Sequence, residues 1–327
     1  MHASGISEID ATALETLLAA ATAAPSIHNT QPWRFRLDPA TGVLQVRAAP
    51  QKSLSLTDPE FRAQYLSVGA ALFNLRVAVD HLGLQAMVRL LPDPSDPGLL
   101  AVVWPCGRSD FLQPDQWRQL DLYGAVARRH TSRMPFTGRP VPESVVAQMT
   151  EAARLEGARL RVPDFAGTRR LLHLTAAGEA RNHADAGRAA ESRAWITAPG
   201  EGPYGIPVTA LGPQDSAGRM PMRDFVGTQR SRRLPGLRFE RHAQVALLCT
   251  TRDRRVDWLR AGQALQRVLL VATAHGVRTS MLHQALEWPD LRWAMRNGPE
   301  RRCSPQLLIR FGYGPEGGRT PRAPAQP

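Results

Sequence analysis

The sequence predicts an α+β fold that is built from two related halves. Short runs of alternating apolar residues predict strands, and longer runs with helical spacing lie between them. The first half is predicted to contain a helix over 60–82 among strands over 33–37, 43–48, 86–91 and 99–104. The second half is predicted to contain, in order, a strand over 242–250, a helix over 257–275 and a strand over 306–311. Long helices among short strands in this order are typical of an α+β fold.

The two long predicted helices match each other without a gap at a constant offset of 193 residues. The matched positions are Tyr65 with Trp258, Leu66 with Leu259, Gly69 with Gly262, Ala71 with Ala264, Leu72 with Leu265 and Gly83 with Gly276. Gly83 and Gly276 are the expected C-terminal caps, because glycine readily adopts the left-handed conformation that ends many helices. Repetition at a fixed spacing indicates a duplicated unit. Chance similarity is the alternative, since helices often end in glycine.

Composition places the chain among ordinary globular proteins. Of its 327 residues, 43% are hydrophobic and 21% are charged, which argues against a disordered class. Residues 1–10 have no basic region followed by an apolar stretch, and no run approaches the roughly 18 apolar residues that span a membrane. We therefore expect a cytoplasmic protein with no membrane partner.

The net charge of +12 invites a nucleic-acid hypothesis. Lys52 is the only lysine, however, and the arginines are scattered along the chain rather than gathered on a basic helix. We therefore expect no nucleic-acid partner. An anionic cofactor suits the excess positive charge equally well.

Neither the cysteines nor the histidines show the spacing of a known site. Cys106, Cys249 and Cys303 are odd in number and lack a CxxC pair, so we expect buried, unpaired thiols and no disulfide. The nine histidines contain no HExxH pattern, so we expect no metal. The GxGxxG match over 312–317 contains Pro315 and leaves too few residues for a βαβ unit, so we interpret it as an exit from the last strand.

The most informative stretch is a polar loop that joins a helical segment to a strand near residue 33. Five hydrogen-bonding side chains occupy six positions: Ser26, His28, Asn29, Thr30 and Gln31. Pro25 ends the preceding helical segment and Pro32 precedes the strand. A helix-to-strand connection does not need so many polar groups, which favours a polar ligand. A turn that is stabilised locally by Ser and Asn is the alternative.

This loop resembles a known motif. The string P-S-x-x-N-x-Q-P-W-x-F over 25–35 is similar to the flavin loop of the nitroreductase superfamily, which presents a Ser and an Asn to FMN. A second stretch, R-H-T-S-R-M-P-F over 129–136, resembles the arginine motif with which superfamily members open. Arginine beside hydroxyl groups suits a phosphate, and an arginine-rich solvated turn is the alternative.

The two motifs lie in different halves, in the reverse of their usual order. Family dimers build each flavin site from both subunits, so a fused chain of this kind keeps one composite site. The arrangement resembles the Acg-like branch of the superfamily, whose members are fused pseudo-dimers that bind FMN. The resemblance implies a nitroreductase-like α+β fold with an N-terminal half over 1–120, a C-terminal half over 121–327, and a monomer.

The resemblance also implies which residues hold FMN. Arg129, Thr131 and Arg133 would hold the phosphate with His130 beside it, and Pro25, Ser26, Ile27 and Asn29 would reach the ribityl chain and ring. Met281 and Leu282 would pack on the flavin, and His283 and Gln284 would aim a backbone N–H at N5, although the family often has Glu-Gly there. Arg319 and Arg322 would complete the phosphate site from the tail, for which a frayed terminus is the alternative.

Residues 198–221 are rich in glycine and proline and cannot form a regular helix. Acg-like proteins have a lid over the flavin, and this segment is the expected lid. Tyr204 in this segment, and Arg193 and Trp195 just before it, would approach the ring, and a surface linker is the alternative.

The resemblance implies an FMN oxidoreductase of the nitroreductase type. FMN would take hydride from NAD(P)H and pass it to an electron-poor acceptor, a nitroaromatic or a quinone. We predict no catalytic side chain, because the flavin carries the chemistry. The alternatives are a protein that sequesters or stores FMN under a closed lid, and a nucleic-acid-binding module without flavin.

Overall fold

A computed structural model describes residues 10–108, 120–198, 200–225, 234–296 and 303–324. Within these ranges the helices are α1 (Ala11–Thr22), α2 (Arg62–His81), α3 (Leu122–Arg128), α4 (Glu143–Leu155), α5 (Phe165–Ala184), α6 (Ala186–Ala194), α7 (Arg255–Ala274) and α8 (Pro289–Ala294). The strands of the first half are β1 (Trp33–Asp38), β2 (Val43–Ala48), β3 (Leu84–Leu90) and β4 (Leu99–Arg108). Those of the second half are β5 (Arg159–Arg161), β6 (Ile196–Thr197), β7 (Ile206–Pro207), β8 (Gln214–Asp215), β9 (Gly236–Leu237), β10 (Gln244–Thr250), β11 (Arg278–Leu282) and β12 (Ser304–Gly312).

Each half contributes one four-stranded antiparallel sheet. The strand order is β1-β2-β4-β3 in the first sheet and β11-β12-β10-β5 in the second. On β1, buried Trp33 and Phe35 alternate with exposed Arg34 and Arg36, so one face of the first sheet packs on the core and the other faces solvent. Every residue of β12 is buried.

Helices α2 and α7 cross at the centre of the molecule. At the crossing, Gly69 and Gly262 bring the two backbones together, and a Cβ added at Gly69 would overlap the carbonyl oxygen of Leu259 and lie 2.9 Å from the Cα of Gly262. The reciprocal contact joins Gly262 to the carbonyl oxygen of Leu66, and these residues are matched pairs at the offset of 193. The contact is therefore nearly two-fold symmetric, as in an isologous dimer interface. The predicted α+β pseudo-dimer is confirmed.

The same symmetry extends along both helices. Tyr65 and Trp258, another matched pair, meet edge to face with ring centroids 5.7 Å apart. Gly83 and Gly276 follow the two helices with φ of 75° and 69°, which confirms both predicted caps. The strand over 43–48 has the predicted ends, and the ends of the other predicted elements shift by a few residues. The domain boundary between residues 120 and 121 stays a prediction.

The prediction for two of the cysteines is wrong. Cys249 lies in β10 and Cys303 directly precedes β12, and a disulfide joins them across a Cα–Cα distance of 5.6 Å. The two strands are antiparallel neighbours in which Thr250 lies opposite Ser304, so the pairing brings the thiols together although they are 54 residues apart. Cys106 is a free, half-buried cysteine.

The apolar core is continuous across the two halves. It joins the inner faces of both sheets to α1, α2, α4 and α7. No helix in the described ranges is long and apolar enough to cross a membrane. The cytoplasmic location stays a prediction.

Candidate functional site

A two-part cavity lies where the polar loop, α2, the arginine motif and β11 meet. The first part has a volume of about 810 Å³ and apolar walls, and its lining includes Leu66, Leu265, Met281, Leu282 and Leu307. The second part, of about 420 Å³, is polar and extends from the first toward Arg129 and Arg322. Both parts are open to solvent, and these volumes include the open space at their mouths. They share part of their lining: Pro25, Ser26, His28, Thr131, Arg133, Ile206 and Met281.

The polar loop is held in an unusual backbone conformation. His28, Asn29 and Gln31 have φ of 47°, 55° and 50°, which lie in a left-handed region that residues other than glycine seldom adopt. Two hydroxyls fix it, since Ser26 Oγ accepts a hydrogen bond from the Gln31 N–H at 2.9 Å and Ser67 Oγ accepts one from Ile27 N–H at 3.2 Å. Such strain persists only where the surrounding structure imposes it, and it clusters at binding sites.

The polar part of the cavity holds the buried guanidinium group of Arg129 and the half-buried one of Arg322. Arg129 follows α3 and is 6% exposed, and its Nε and Nη1 have no hydrogen-bond partner among the described residues. Burial, together with the neighbouring Arg322, lowers the pKa of Arg129 to about 9. Burial likewise lowers the pKa of Arg322 to about 10. A buried cation without a counter-charge is costly, so this end of the cavity is built for an anion.

The rest of the arginine motif is tied to β11 and to the segment that follows β7. Thr131 forms a β-bridge with Thr279, and the N–H of Ser132 donates to the Thr279 carbonyl at 2.9 Å. Arg133 Nη1 donates to the carbonyl of Ala210 at 2.9 Å, and burial and the nearby Arg223 lower the pKa of Arg133 to about 10. His130 Nε2 lies 2.6 Å from the carbonyl oxygen of Glu316.

Residues 200–225, here named the covering segment, close one side of the cavity. Ile206, within the predicted lid, lines it, as do Met222, Arg223 and Phe225 from beyond residue 221. That residues 198–221 act as a lid stays a prediction. Pro199, within the predicted lid, lies outside the described residues. Arg193, Trp195 and Tyr204, which were expected to approach the ring near the lid, line neither part of the cavity. Lys52 Nζ lies over the Tyr204 ring, 3.9 Å from its centroid.

Hydrogen bonds tie the covering segment to the polar loop and to the tail. Asn29 Nδ2 lies within hydrogen-bond distance of the carbonyl oxygens of Pro203, Gly205 and Pro321, at 3.2, 2.8 and 3.0 Å. Its Oδ1 accepts from Arg322 Nη1 at 2.9 Å. The Asn29 amide therefore orients the arginine and anchors two chain segments, in addition to lining the polar part.

The sequence itself falls into a known family. The family model described as "Nitroreductase family" matches residues 126–292. "Putative NAD(P)H nitroreductase Rv3131" of Mycobacterium tuberculosis (strain H37Rv) is 34% identical over 94% of this chain and 86% of its own. "Putative NAD(P)H nitroreductase acg" of the same strain is 30% identical over 90% of this chain and 86% of its own. The chain belongs to the nitroreductase family. The predicted resemblance, including that to Acg-like proteins, is confirmed.

Solved structures give more distant likenesses to this nitroreductase-family chain. A crystal structure of "a putative nitroreductase" from Anabaena variabilis covers 92% of this chain and 88% of its own, at 11% identity and a TM-score of 0.47. The FMN-dependent nitroreductase NfnB of Mycobacterium smegmatis, in complex with NADPH, covers 62% of this chain and 96% of its own, at 18% identity and a TM-score of 0.38.

The structure brings together nearly all the residues that the family motifs single out. The residues that line one or both parts of the cavity are Pro25, Ser26, Ile27, Asn29, Arg129, His130, Thr131, Arg133, Met281, Leu282, His283, Gln284 and Arg322. Arg319 is the exception, because its exposed side chain pairs with Glu316 at 3.3 Å. Gln284 Nε2 donates to the carbonyl of Pro221 at 2.9 Å, so this side chain holds the covering segment.

A buried network of charged side chains, which the sequence analysis did not predict, lies on the wall of this nitroreductase-family cavity. Glu287 accepts hydrogen bonds from Arg223 and, at 2.7 Å, from Asn182. His283 Nδ1 lies 3.1 Å from the same carboxylate, and its Nε2 lies 3.2 Å from Arg62 Nη2. Burial alone raises the pKa of Glu287, but Arg223 and His283 hold it at about 2. Glu287 is therefore a fixed carboxylate.

The sequence analysis did not predict Arg223 and Glu287 as site residues, because only the folded chain brings them to the cavity. Neither Arg223 nor Glu287 belongs to a recognisable motif. The one signal in the sequence for Arg223 is the run Met-Arg-Asp-Phe over 222–225, where charged residues follow the glycine-rich segment. His28 stood within the polar loop but had no assigned role. No group of three or more metal-ligating side chains occurs in the described parts of the chain.

Proposed function

We propose that this protein is an FMN-binding oxidoreductase of the nitroreductase type. The observation that carries the proposal is the buried Arg129 guanidinium, two of whose nitrogens have no partner among the described residues, beside Arg322 at the polar end of an apolar-walled cavity. That combination suits a cofactor with a phosphate at one end and a flat ring at the other. The names of the relatives, NAD(P)H nitroreductases, support the same reading.

Arg129, Arg322 and Thr131 would hold the phosphate, with His130 beside it. Ile27, Met281 and Leu282 would pack against the ring, and the covering segment would exclude water from it. When bound, FMN would supply the hydride chemistry between NAD(P)H and an electron-poor acceptor, a nitroaromatic or a quinone. The chain contributes binding, orientation and electrostatics.

We further propose a monomer with one FMN per chain. The arginine motif comes from the second half and the polar loop from the first, and the two line the same cavity. One chain therefore supplies both sides of a site that family dimers build from two subunits.

A second function, sequestration of FMN, is favoured by the ties of the covering segment. Gln31 Nε2 donates to the carbonyl of Pro203 at 2.6 Å. Asn29 and Gln284 donate to the carbonyls of Gly205 and Pro221 in the same segment. A segment held at several points would keep acceptors away from the ring.

Both functions require that the protein binds FMN. The absorption spectrum of the purified protein, followed by chromatography of the released flavin, tests this requirement. A chain that neither carries nor takes up FMN would refute both functions.

Stopped-flow reduction separates the two functions. A reductase should lose its flavin absorbance within seconds of anaerobic mixing with NADH or NADPH. A sequestering protein should resist both nucleotides, remain reducible by dithionite, and react faster when Gln31→Ala removes one tie. Equal resistance of wild type and Gln31→Ala to every reductant would contradict both expectations.

A further inference from the structure

His28 is a buried imidazole between the two parts of the cavity. It is 7% exposed, lines both parts, and meets Phe225 of the covering segment edge to face at 5.2 Å between ring centroids. Its Nε2 lies 3.4 Å from Arg223 Nη1, also of the covering segment. The position of this ring is therefore set jointly by the polar loop and the covering segment.

The contact with Arg223 decides which ring nitrogen carries the proton. A guanidinium only donates, so His28 Nε2 must accept, and a neutral ring then carries its hydrogen on Nδ1. Burial and the adjacent Arg223 hold the pKa of His28 well below its usual value, so the ring is neutral. Arg223 is in turn fixed by Glu287.

His28 Nδ1 is a buried donor that lacks an acceptor. It has no hydrogen-bond partner among the residues that the structure describes. A buried donor without a partner loses its hydrogen bonds to water without replacement, which favours a ligand atom that accepts its hydrogen bond. The charged groups around the ring are Arg223, Arg133, His283 and Glu287, and none of them accepts from Nδ1.

We propose that His28 is a specificity-determining residue whose Nδ1–H donates to an oxygen of the electron acceptor, a quinone carbonyl or a nitro group, and that Arg223 is its positioning residue. The inference rests on the proposed function. Arg223 and Phe225 approach from the covering segment, whereas Met281 and Leu282 form the wall on β11. His28 Nδ1–H therefore lies on the covering-segment side of the cavity, where an electron acceptor would lie over the ring of FMN.

Three substitutions isolate the Nδ1–H. In His28→Asn the side-chain amide takes the place of Nδ1, in His28→Gln it takes the place of Nε2, and His28→Leu has no polar atom. Asn and Gln differ by one methylene and are a matched pair. The Asn variant also tolerates the left-handed φ of 47° at this position.

The probes are 1,4-naphthoquinone and naphthalene, which share a frame and differ in the two oxygens. They are titrated into the oxidised FMN-loaded protein without NAD(P)H, so that no turnover occurs, and the flavin spectrum reports binding. We expect naphthoquinone to bind about fivefold more weakly in His28→Leu and His28→Gln, the loss of one neutral hydrogen bond. His28→Asn should bind it like the wild type, and naphthalene should not distinguish the variants.

Arg223 gives an independent readout. In Arg223→Met nothing fixes the tautomer, and removal of a neighbouring cation raises the pKa of His28. Naphthoquinone affinity should then fall as the pH rises through that pKa, because only the protonated ring keeps a hydrogen on Nδ1 at all times. The wild type should show no such dependence between pH 6 and 8, and Arg223→Gln, which keeps an N–H donor, should resemble the wild type.

Several results would overturn the proposal. One is equal affinity of the wild type and His28→Gln for naphthoquinone. Another is an equal loss of affinity for naphthoquinone and naphthalene in the variants. The third is a His28→Asn variant that binds naphthoquinone no more tightly than His28→Gln does. A fall in FMN affinity with unchanged naphthoquinone binding would place the donor on the flavin instead. Failure of the chain to bind FMN would refute the proposed function separately, and calorimetry of the same probes with flavin-free protein would still test His28.

Discussion

Two buried arginines show how a single side chain indicates a ligand. Arg310 is fully buried but pairs with Glu240 at 2.6 Å and stacks on Phe136 at 3.8 Å, so its charge is balanced within the chain. Arg129 is nearly as buried, yet two of its nitrogens have no partner among the described residues. Removing one partner of a buried pair is strongly destabilising, so an unbalanced guanidinium indicates that its anion comes from outside.

Replacing Arg129 should weaken the binding of FMN through its phosphate. Arg129→Ala removes charge-assisted hydrogen bonds of about 1.5–3 kcal/mol, so FMN affinity should fall roughly tenfold to a hundredfold. Arg129→Lys should restore part of it, because lysine keeps the charge but loses the planar fork. Fluorescence titration of the flavin-free protein measures these affinities.

Riboflavin and a neighbouring arginine are the controls for this prediction. Riboflavin lacks the phosphate, so its affinity should be the same in the wild type and in Arg129→Ala. Arg128 precedes Arg129, carries the same charge and is exposed, so Arg128→Ala should leave FMN affinity unchanged. Equal losses for FMN and riboflavin in Arg129→Ala would refute the phosphate assignment.

Glu287 should make stability depend on acid pH. Its pKa falls from 4.5 in the unfolded chain to about 2 in the folded protein, so its contribution is complete above pH 4.5 and is lost as the pH falls through 2. The wild type should therefore lose roughly 3 kcal/mol of unfolding free energy over this interval that Glu287→Gln does not lose. Urea unfolding at a series of pH values measures both proteins, and parallel pH profiles would contradict the prediction.

The crossing of α2 and α7 determines the architecture at the level of elements. Both helices carry the glycine at the crossing point, so neither backbone can accept a side chain there. The polar loop and the arginine motif lie on elements packed around this pair, and the apolar wall of the cavity takes Leu66 from α2 and Leu265 from α7. Displacement of the crossing would therefore also displace the cavity.

Gly69→Ala should destabilise the protein by about 3 kcal/mol or more. The new Cβ would overlap the Leu259 carbonyl oxygen, and backbone on both sides prevents relaxation. A loss of stability would identify the helix contact as the cause, because elsewhere in a helix the replacement of glycine by alanine stabilises by up to about 1 kcal/mol.

Gly138 provides the control for the helix crossing, because a Cβ added there meets nothing within 4 Å. Gly138→Ala should change the unfolding free energy by no more than about 0.5 kcal/mol. Chemical denaturation of both variants is the measurement, and similar stabilities for the two would show that the helices can separate at little cost.

At the scale of the whole molecule, the halves are symmetric at their contact and asymmetric at their site. The helix crossing is nearly two-fold, but the arginine motif occurs only in the second half and the polar loop only in the first. The duplication therefore leaves one composite cavity where two related sites would occur in a dimer.

On the proposed function, we expect one FMN per chain and a monomer in solution. The partner surface of a family dimer is already supplied by the other half of the same chain. Flavin released by denaturation, divided by protein concentration, should approach one after saturation with FMN, and light scattering should give the mass of a single chain. Two flavins per chain, or a tight dimer, would contradict the composite site.

The sequence by itself determined what depends on neighbours along the chain. The strand over 43–48, the glycine caps at Gly83 and Gly276 and the polar loop were predictable, because backbone preference and apolar spacing decide them locally. The offset of 193 residues also predicted which residues of α2 and α7 correspond, since duplicated units keep their register. The resemblance of the motifs to the family, and not local preference, pointed to Arg129, Thr131 and the wall on β11, all of which line the cavity.

Only the tertiary structure decided which distant groups meet. The Cys249–Cys303 disulfide follows from strand pairing across 54 residues, and the contact of His28 with Arg223 follows from the path of the covering segment. Arg319 and Arg322 are equivalent by sequence, but only Arg322 turns inward, where Nε donates to the Ala24 carbonyl at 3.1 Å. Such contacts depend on how packed elements converge, which local propensity and spacing along the chain do not specify.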